Sequence, residues 1–136
     1  MRLMIILLFA APVLLATPPN SEGQAFLSSQ RFMANHLVKK KWGATRLNLE
    51  QFKKGNSKVR GTMVFSLLSD KTLIGKSADE IRTLLGPFTG FFWSDSIPAY
   101  MIDEGWQHKK DSWQLVFLLD EQGRVNDIRV HKNCCE

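Results

Sequence analysis

The stretch LIGKSADEIRTLLGP, Leu73 to Pro87, contains a helix together with both of its ends. Ser77 and Glu80 stand at the S-x-x-E spacing of a capping box. There the serine hydroxyl accepts from the Glu80 amide, and the glutamate carboxylate reaches back to the amide of Ser77. Ile81, Leu84 and Leu85 fall on one helical face. Gly86 supplies the left-handed residue that stops a helix, and Pro87 blocks its continuation. The segment from Ala78 to Leu85 is about two turns long, and isolated helices shorter than ~12–15 residues are marginal in water. Its Ile-Leu-Leu face must therefore dock on the rest of the chain.

After Pro87 the hydrophobic period changes to two. Phe88 to Trp93 reads as an extended aromatic segment, and Ile97 to Ile102 as a strand with Pro98 at its start, where a missing amide is tolerated. Ser112 to Leu119 is the clearest strand. Trp113, Leu115, Phe117 and Leu119 share one face, and Gln114, Val116 and Leu118 the other. Asp120 to Gly123 is a turn, and Val125 to His131 returns as the hairpin partner.

Upstream, Ser57 to Lys71 carries the adjoining rows Val59, Met63, Leu67 and Val64, Leu68, an amphipathic helix. Gly61 costs such a helix about 1 kcal/mol relative to Ala and marks a place of close packing. Phe26 to Trp42 has Phe32, Met33, Leu37 and Val38 at helical spacing, with Ser28 or Ser29 as its cap and Gly43 as its end. Ala44 to Asn56 reads as an irregular connector. The expectation is an α+β fold of order ααβββ, a three-stranded antiparallel sheet with two helices packed on one face.

That arrangement leaves Val116 and Leu118 on the face without an obvious cover, which makes them the candidate interface residues. Either the Phe26–Trp42 helix folds back over them or a second molecule does. The expectation is the second: another protein, or a homodimer.

The segment 1–25 has the pattern of a secretory signal peptide. Arg2 is followed by the apolar run Leu3 to Ala16, the breaker Thr17-Pro18-Pro19 and the small-x-small site Gly23-Gln24-Ala25. No Cys follows the apolar run, so no lipid-attachment site of the bacterial lipoprotein type is present. The expected organisation is 1–25 signal peptide, 26–56 helix and connector, 57–132 a single α+β domain, and 133–136 a short tail. No transmembrane segment is expected in the mature chain, because the apolar run is shorter than the ~20 residues a spanning helix needs. The chain carries 18 Lys+Arg against 13 Asp+Glu, a net +5. Lys39-Lys40-Lys41, Lys53-Lys54 and Lys109-Lys110 are its densest basic points. For a protein exported in this way, anionic envelope surfaces are the natural electrostatic partners. Nucleic acid is not, even though Lys41-Trp42 and Phe91-Phe92-Trp93 have the composition of stacking surfaces.

Chemistry-bearing constellations are sparse. Cys134 and Cys135 are adjacent and near the end, so they cannot staple the fold. They are candidate reactive thiols, and with His131 they offer soft ligands, although the spacing matches no familiar metal site. Asp103-Glu104 and Asp120-Glu121 are neighbours, and neighbours on a strand point to opposite faces, so neither pair forms a ready acid–base dyad. No G-x-S-x-G, phosphate loop or metalloprotease helix occurs, and His36 and His108 have no evident nucleophile partner. The expectation is a protein that is not an enzyme and needs no cofactor.

Three pieces of the chain together resemble the BamE (SmpA/OmlA) superfamily: Leu73 to Phe88 as L-x-G-K-S-x-x-E-[IV]-x-x-L-L-G-x-[FP], Trp113 to Leu119 as W-x-L-x-[FL], and Asp120 to Val125 as D-E-x-G-R-V. The resemblance covers roughly Ser57 to Lys132 and implies an ααβββ fold in small periplasmic proteins of the bacterial cell envelope. Its best-known members are lipoproteins of the outer-membrane barrel assembly machinery, and the same fold in tandem forms a secreted inhibitor of β-lactamases. This chain departs from the assembly lipoproteins in lacking their lipidation Cys. The resemblance implies a non-enzymatic binding or assembly module. An inhibitor or regulator of a secreted enzyme is the first alternative, and a metal- or thiol-handling protein using Cys134 and Cys135 the second.

Overall fold

A computed structural model of the protein describes residues 32–105 and 111–134. The signal-peptide segment, the Ser28 or Ser29 cap, His108, Lys109-Lys110 and Cys135 lie outside the described residues. Among those described, four α-helices precede three strands: α1 Asn35–Trp42, α2 Leu49–Lys54, α3 Ser57–Ser69, α4 Ala78–Leu85, β1 Ala99–Asp103, β2 Ser112–Leu119 and β3 Val125–Cys134. The strands form an antiparallel sheet in the order β1-β2-β3. The chain is thus of the α+β class, and no described helix is long and apolar enough to cross a membrane.

Local chemistry sets most of the helix ends. The Glu80 amide donates to Ser77 Oγ at 3.2 Å, and the Ser77 hydroxyl in turn donates to the Glu80 carboxylate at 3.3 Å. The carboxylate therefore meets the serine hydroxyl. Gly86 follows at φ 90°, in the region open to glycine, and its amide donates to the Arg82 carbonyl. Helix α3 is capped by Asn56, whose side chain accepts from the Val59 amide at 3.0 Å. Helix α2 replaces the expected irregular connector. Asn48 Oδ1 accepts from the Gln51 amide at 3.0 Å, and Phe52 is fully buried. The N-terminal helix begins only at Asn35. Before it, Phe32 bridges His131 and the Met33 amide donates to the Val130 carbonyl at 2.9 Å, so the chain enters along the edge of β3.

The inner face of the sheet behaves as its alternation requires. Leu115 and Phe117 are buried with Met63, Val64 and Leu67 of α3 and with Ile81 and Leu85 of α4. Tyr100 lies at the centre, with the Phe52, Phe88 and Phe117 ring centroids 5.4, 5.7 and 6.0 Å away. Its hydroxyl donates to the Gly86 carbonyl at 2.8 Å, and burial pushes the phenol well above its usual pKa, so it stays a neutral donor. Gly61 marks the close approach of α3 to β1: a Cβ there would stand 2.7 Å from the Ile102 carbonyl oxygen.

The outer face differs from expectation. Val116 is fully buried, in a small cluster with Phe92 and Ala99, and Leu118 is half-buried beside it. Among the described residues, this cover is not supplied by helix α1. It comes mainly from residues 88–98, which are not a strand but a loop folded back across the sheet, with Phe32 packed at its margin. Strand β3 is also longer than the hairpin pattern suggests. Ser112 pairs with Cys134, so Asn133 and Cys134 belong to the strand and not to a tail.

Candidate functional site

The loop over the outer face is held by Gln114, a fully buried residue in the middle of β2. The Phe91 amide donates to Gln114 Oε1 at 3.0 Å, and Gln114 Nε2 donates to the Phe91 carbonyl at 2.8 Å. The glutamine side chain thus pairs with Phe91 as a neighbouring strand would. Gly90 makes this approach possible, because a Cβ at that position would collide with Gln114 Oε1. Arg60 of α3 braces the base of the loop from the other side. Its guanidinium donates to the Gly55 carbonyl at 2.7 Å, the Met101 carbonyl at 2.9 Å and Thr89 Oγ1 at 3.4 Å. Burial lowers the pKa of Arg60, and the nearby charge of Glu104 works against that shift.

Beyond Phe91 the chain makes an abrupt turn. The Ser94 amide donates to the Phe92 carbonyl at 2.7 Å across Trp93, which has φ 66°. A hydrogen bond from residue i to i+2 around a residue of positive φ is the mark of a γ-turn of the rare, strained kind. Positive φ at a bulky residue is a true outlier, and such strain gathers at ligand clamps and switch regions. The turn sends the Phe92 ring inward, 4.9 Å from the His131 ring and 6.2 Å from Phe32. It leaves the flanking rings outside: Phe91 is 57% and Trp93 61% exposed. A hydroxyl bond of 2.7 Å between Ser94 and Ser96 secures the returning chain.

Between this loop and the end of the β2–β3 hairpin lies a groove of about 520 Å³. Phe92, Trp93, Ile97, Leu118 and Leu119 form its apolar walls, and Asn126 and Asp127 its polar rim. The volume is that of a site for a small ligand or a few side chains. Of the two residues that the strand pattern marks as an interface, Leu118 lines the groove and Val116 lies beneath the loop. The backbone of Cys134 ends β3. Gln114, Trp93 and Ile97 escape sequence reasoning. The available signal was a glutamine in the best-formed apolar strand, W-Q-L-V-F, where an uncompensated amide is expensive to bury.

The other polar residues singled out by sequence have local tasks. Asp120 Oδ1 accepts from the amides of Gln122 and Arg124 at 2.9 and 3.0 Å, closing the hairpin turn. Asp103 accepts from Trp42 Nε1 at 3.1 Å and from the Gly105 amide at 2.9 Å. Lys39, Lys40 and Lys41 occupy the last turn of α1, and Lys53 and Lys54 that of α2, where positive charge suits the helix dipole. Among the described residues, no group of three or more His, Cys, Asp and Glu side chains is gathered as metal ligands. No family model, curated protein or solved structure matches this chain.

Proposed function

We propose that this protein is a non-enzymatic binding module of the bacterial cell envelope, exported to the periplasm, which grips a large apolar side chain of another envelope protein in the groove beside Trp93. The proposal is carried by Trp93, a bulky aromatic kept 61% exposed by a strained turn at the mouth of an apolar groove. Aromatic residues of this kind anchor protein interfaces, because they offer large area at low conformational cost. Export is supported by the leader-like segment 1–25, and the envelope setting by the resemblance to the BamE superfamily. The ααβββ arrangement of that superfamily agrees with α3, α4 and the three strands; α1 and α2 would be additions to it.

Site-specific photocrosslinking in cells exporting the protein tests this reading. A benzophenone amino acid replaces Trp93 in one variant and Val59, on the helical side of the sheet, in another. The expected result is one adduct from position 93, none from position 59, and loss of the adduct when Ile97→Ser is added. No adduct, or the same adducts from both positions, overturns the proposal. An adduct of twice the chain's own mass replaces the foreign partner by a second copy.

A further inference from the structure

His131 sits where the loop, β2 and β3 meet, and its Nδ1 lies beside the amide that holds the loop. The Phe91 backbone determines which way the Gln114 amide points, because Oε1 must accept from the amide and Nε2 must donate to the carbonyl. Gln114 Nε2 therefore presents a donor to His131 Nδ1, 3.2 Å away, with Asn133 Oδ1 at 3.3 Å sharing the same side. One Gln114 N–H is taken by the Phe91 carbonyl, and the second lies between His131 Nδ1 and Asn133 Oδ1; the neutral ring with its proton on Nε2 is the tautomer that lets both accept it. A protonated imidazole carries N–H on both nitrogens. Nδ1 then stops accepting, the second Gln114 N–H is left to Asn133 Oδ1 alone, and a positive ring stands against the amide hydrogens.

We propose that protonation of His131 unlocks the Gln114 clamp, frees the Phe91–Trp93 loop from the sheet and disperses the groove, so that binding through this face is lost as the medium acidifies. The consequence for binding rests on the function proposed above; the unlocking itself does not. The surroundings favour it. The loop and the N-terminal segment meet the ring with Phe92 and Phe32, whose centroids are 4.9 and 5.7 Å away. From β2 the contact is Gln114. Along β3, Arg129 lies two residues away on the same face, adding positive charge; it pairs with Asp127 at 2.7 Å. Lys132 points to the opposite face and pairs with Asp111 at 2.9 Å. From β1, Met101 Sδ lies 3.8 Å from Asn133 Nδ2, behind the shared acceptor.

The direction follows from linkage. Burial holds His131 below the ordinary histidine value while the loop is closed. In the open loop the ring returns to water and to a value near 6.5. The open form therefore binds the proton first. The clamp is at full strength above about pH 6.5, and below it the opening equilibrium grows by up to about tenfold per pH unit until the closed form also titrates.

Amide hydrogen exchange on the isolated protein, with no partner present, tests the inference without testing the interface. After correction for intrinsic rates, protection of the Phe91 amide is expected to fall by up to tenfold per unit between pH 6.5 and the value at which the His131 Cε1 resonance titrates. Protection of the Gly86 amide, bonded to the Arg82 carbonyl at 2.9 Å at the end of α4, stays constant. In His131→Gln the Phe91 protection is flat across the same range. A flat profile in the native chain, an equal decline in His131→Gln, or a parallel decline at Phe91 and Gly86 overturns the proposal; the last would be global acid unfolding.

Discussion

Gln114→Leu separates two accounts of the outer face. Leucine nearly matches glutamine in size, so no cavity opens, and it joins an apolar neighbourhood that already contains Phe92 and Val116. If the glutamine is merely tolerated, the change should be neutral or stabilising. If it is the anchor of the loop, both bonds to Phe91 disappear together. At about 1 kcal/mol for each net hydrogen bond the direct loss is about 2 kcal/mol. The chain has one escape: the loop lifts, the Phe91 groups find water, and Phe92 loses its burial. Full exposure of a Phe side chain costs roughly 1.5–3 kcal/mol, so this route is no cheaper and the estimate of about 2 kcal/mol holds either way. Urea unfolding measures it. The expected result is a lower midpoint at unchanged slope, since little extra surface is exposed overall. The Trp93 indole resonance should shift as its turn relaxes. A midpoint equal to or above that of the native chain refutes the reasoning and makes the loop's position a matter of apolar contact alone.

Two further changes test the frame around the site. Ser77→Ala removes the acceptor of the Glu80 amide and should lower stability by ~1 kcal/mol in denaturant melts; an unchanged midpoint would mean the cap contributes nothing. Gly61→Ala should gain about 1 kcal/mol on helix propensity alone, yet its Cβ would press on the Ile102 carbonyl at 2.7 Å, so a net loss within the ~1–3 kcal/mol of overpacking is expected. A raised melting temperature would show that β1 yields.

What could be read from sequence was what the chain decides locally. The ends of α4 are written in Ser77, Glu80, Gly86 and Pro87, and the alternation from Ser112 to Leu119 sets both the strand and its inward face. Helix α2 was hidden because it spans only Leu49–Lys54 and buries one side chain, Phe52, too few positions to display a period. Its cap, Asn48 with Gln51 three residues on, was the visible trace. The aromatic loop could not be read in this way. Phe88 to Trp93 has the composition of a strand, but its path is set by Gln114, 23 residues away from Phe91, and by a positive φ at Trp93 that no propensity favours. The cover over Val116 is illegible in the sequence for the same reason. A strand pattern tells which side chains share a face, and says nothing about which distant loop will lie across it.

The placement of the groove follows from how the rest of the sheet is closed. A three-stranded sheet has two edges and two faces, and open edges are ready templates for another chain. The edge of β1 is occupied by the Thr89 and Gly90 amides on the Ala99 carbonyl, at 3.1 and 2.9 Å, and by Arg60 on Met101. The edge of β3 is met by Met33 at Val130, by Gly75 and Lys76 at Val125, and by the Asp127 carboxylate on the Ile128 amide. Helices α3 and α4 fill the inner face. On the outer face, successive β2 side chains run from Gln114 and Val116, fully buried under the loop, to Leu118, only half covered. The loop is pinned at the Gln114 end and turns away at Trp93, so its cover stops one residue pair short of the hairpin. A partner side chain entering beside Trp93 would continue the layer that Phe92 begins over Val116. On the proposed reading, occupied edges and a face left incomplete in this way would direct association to Leu118, Ile97 and Trp93, and away from strand pairing.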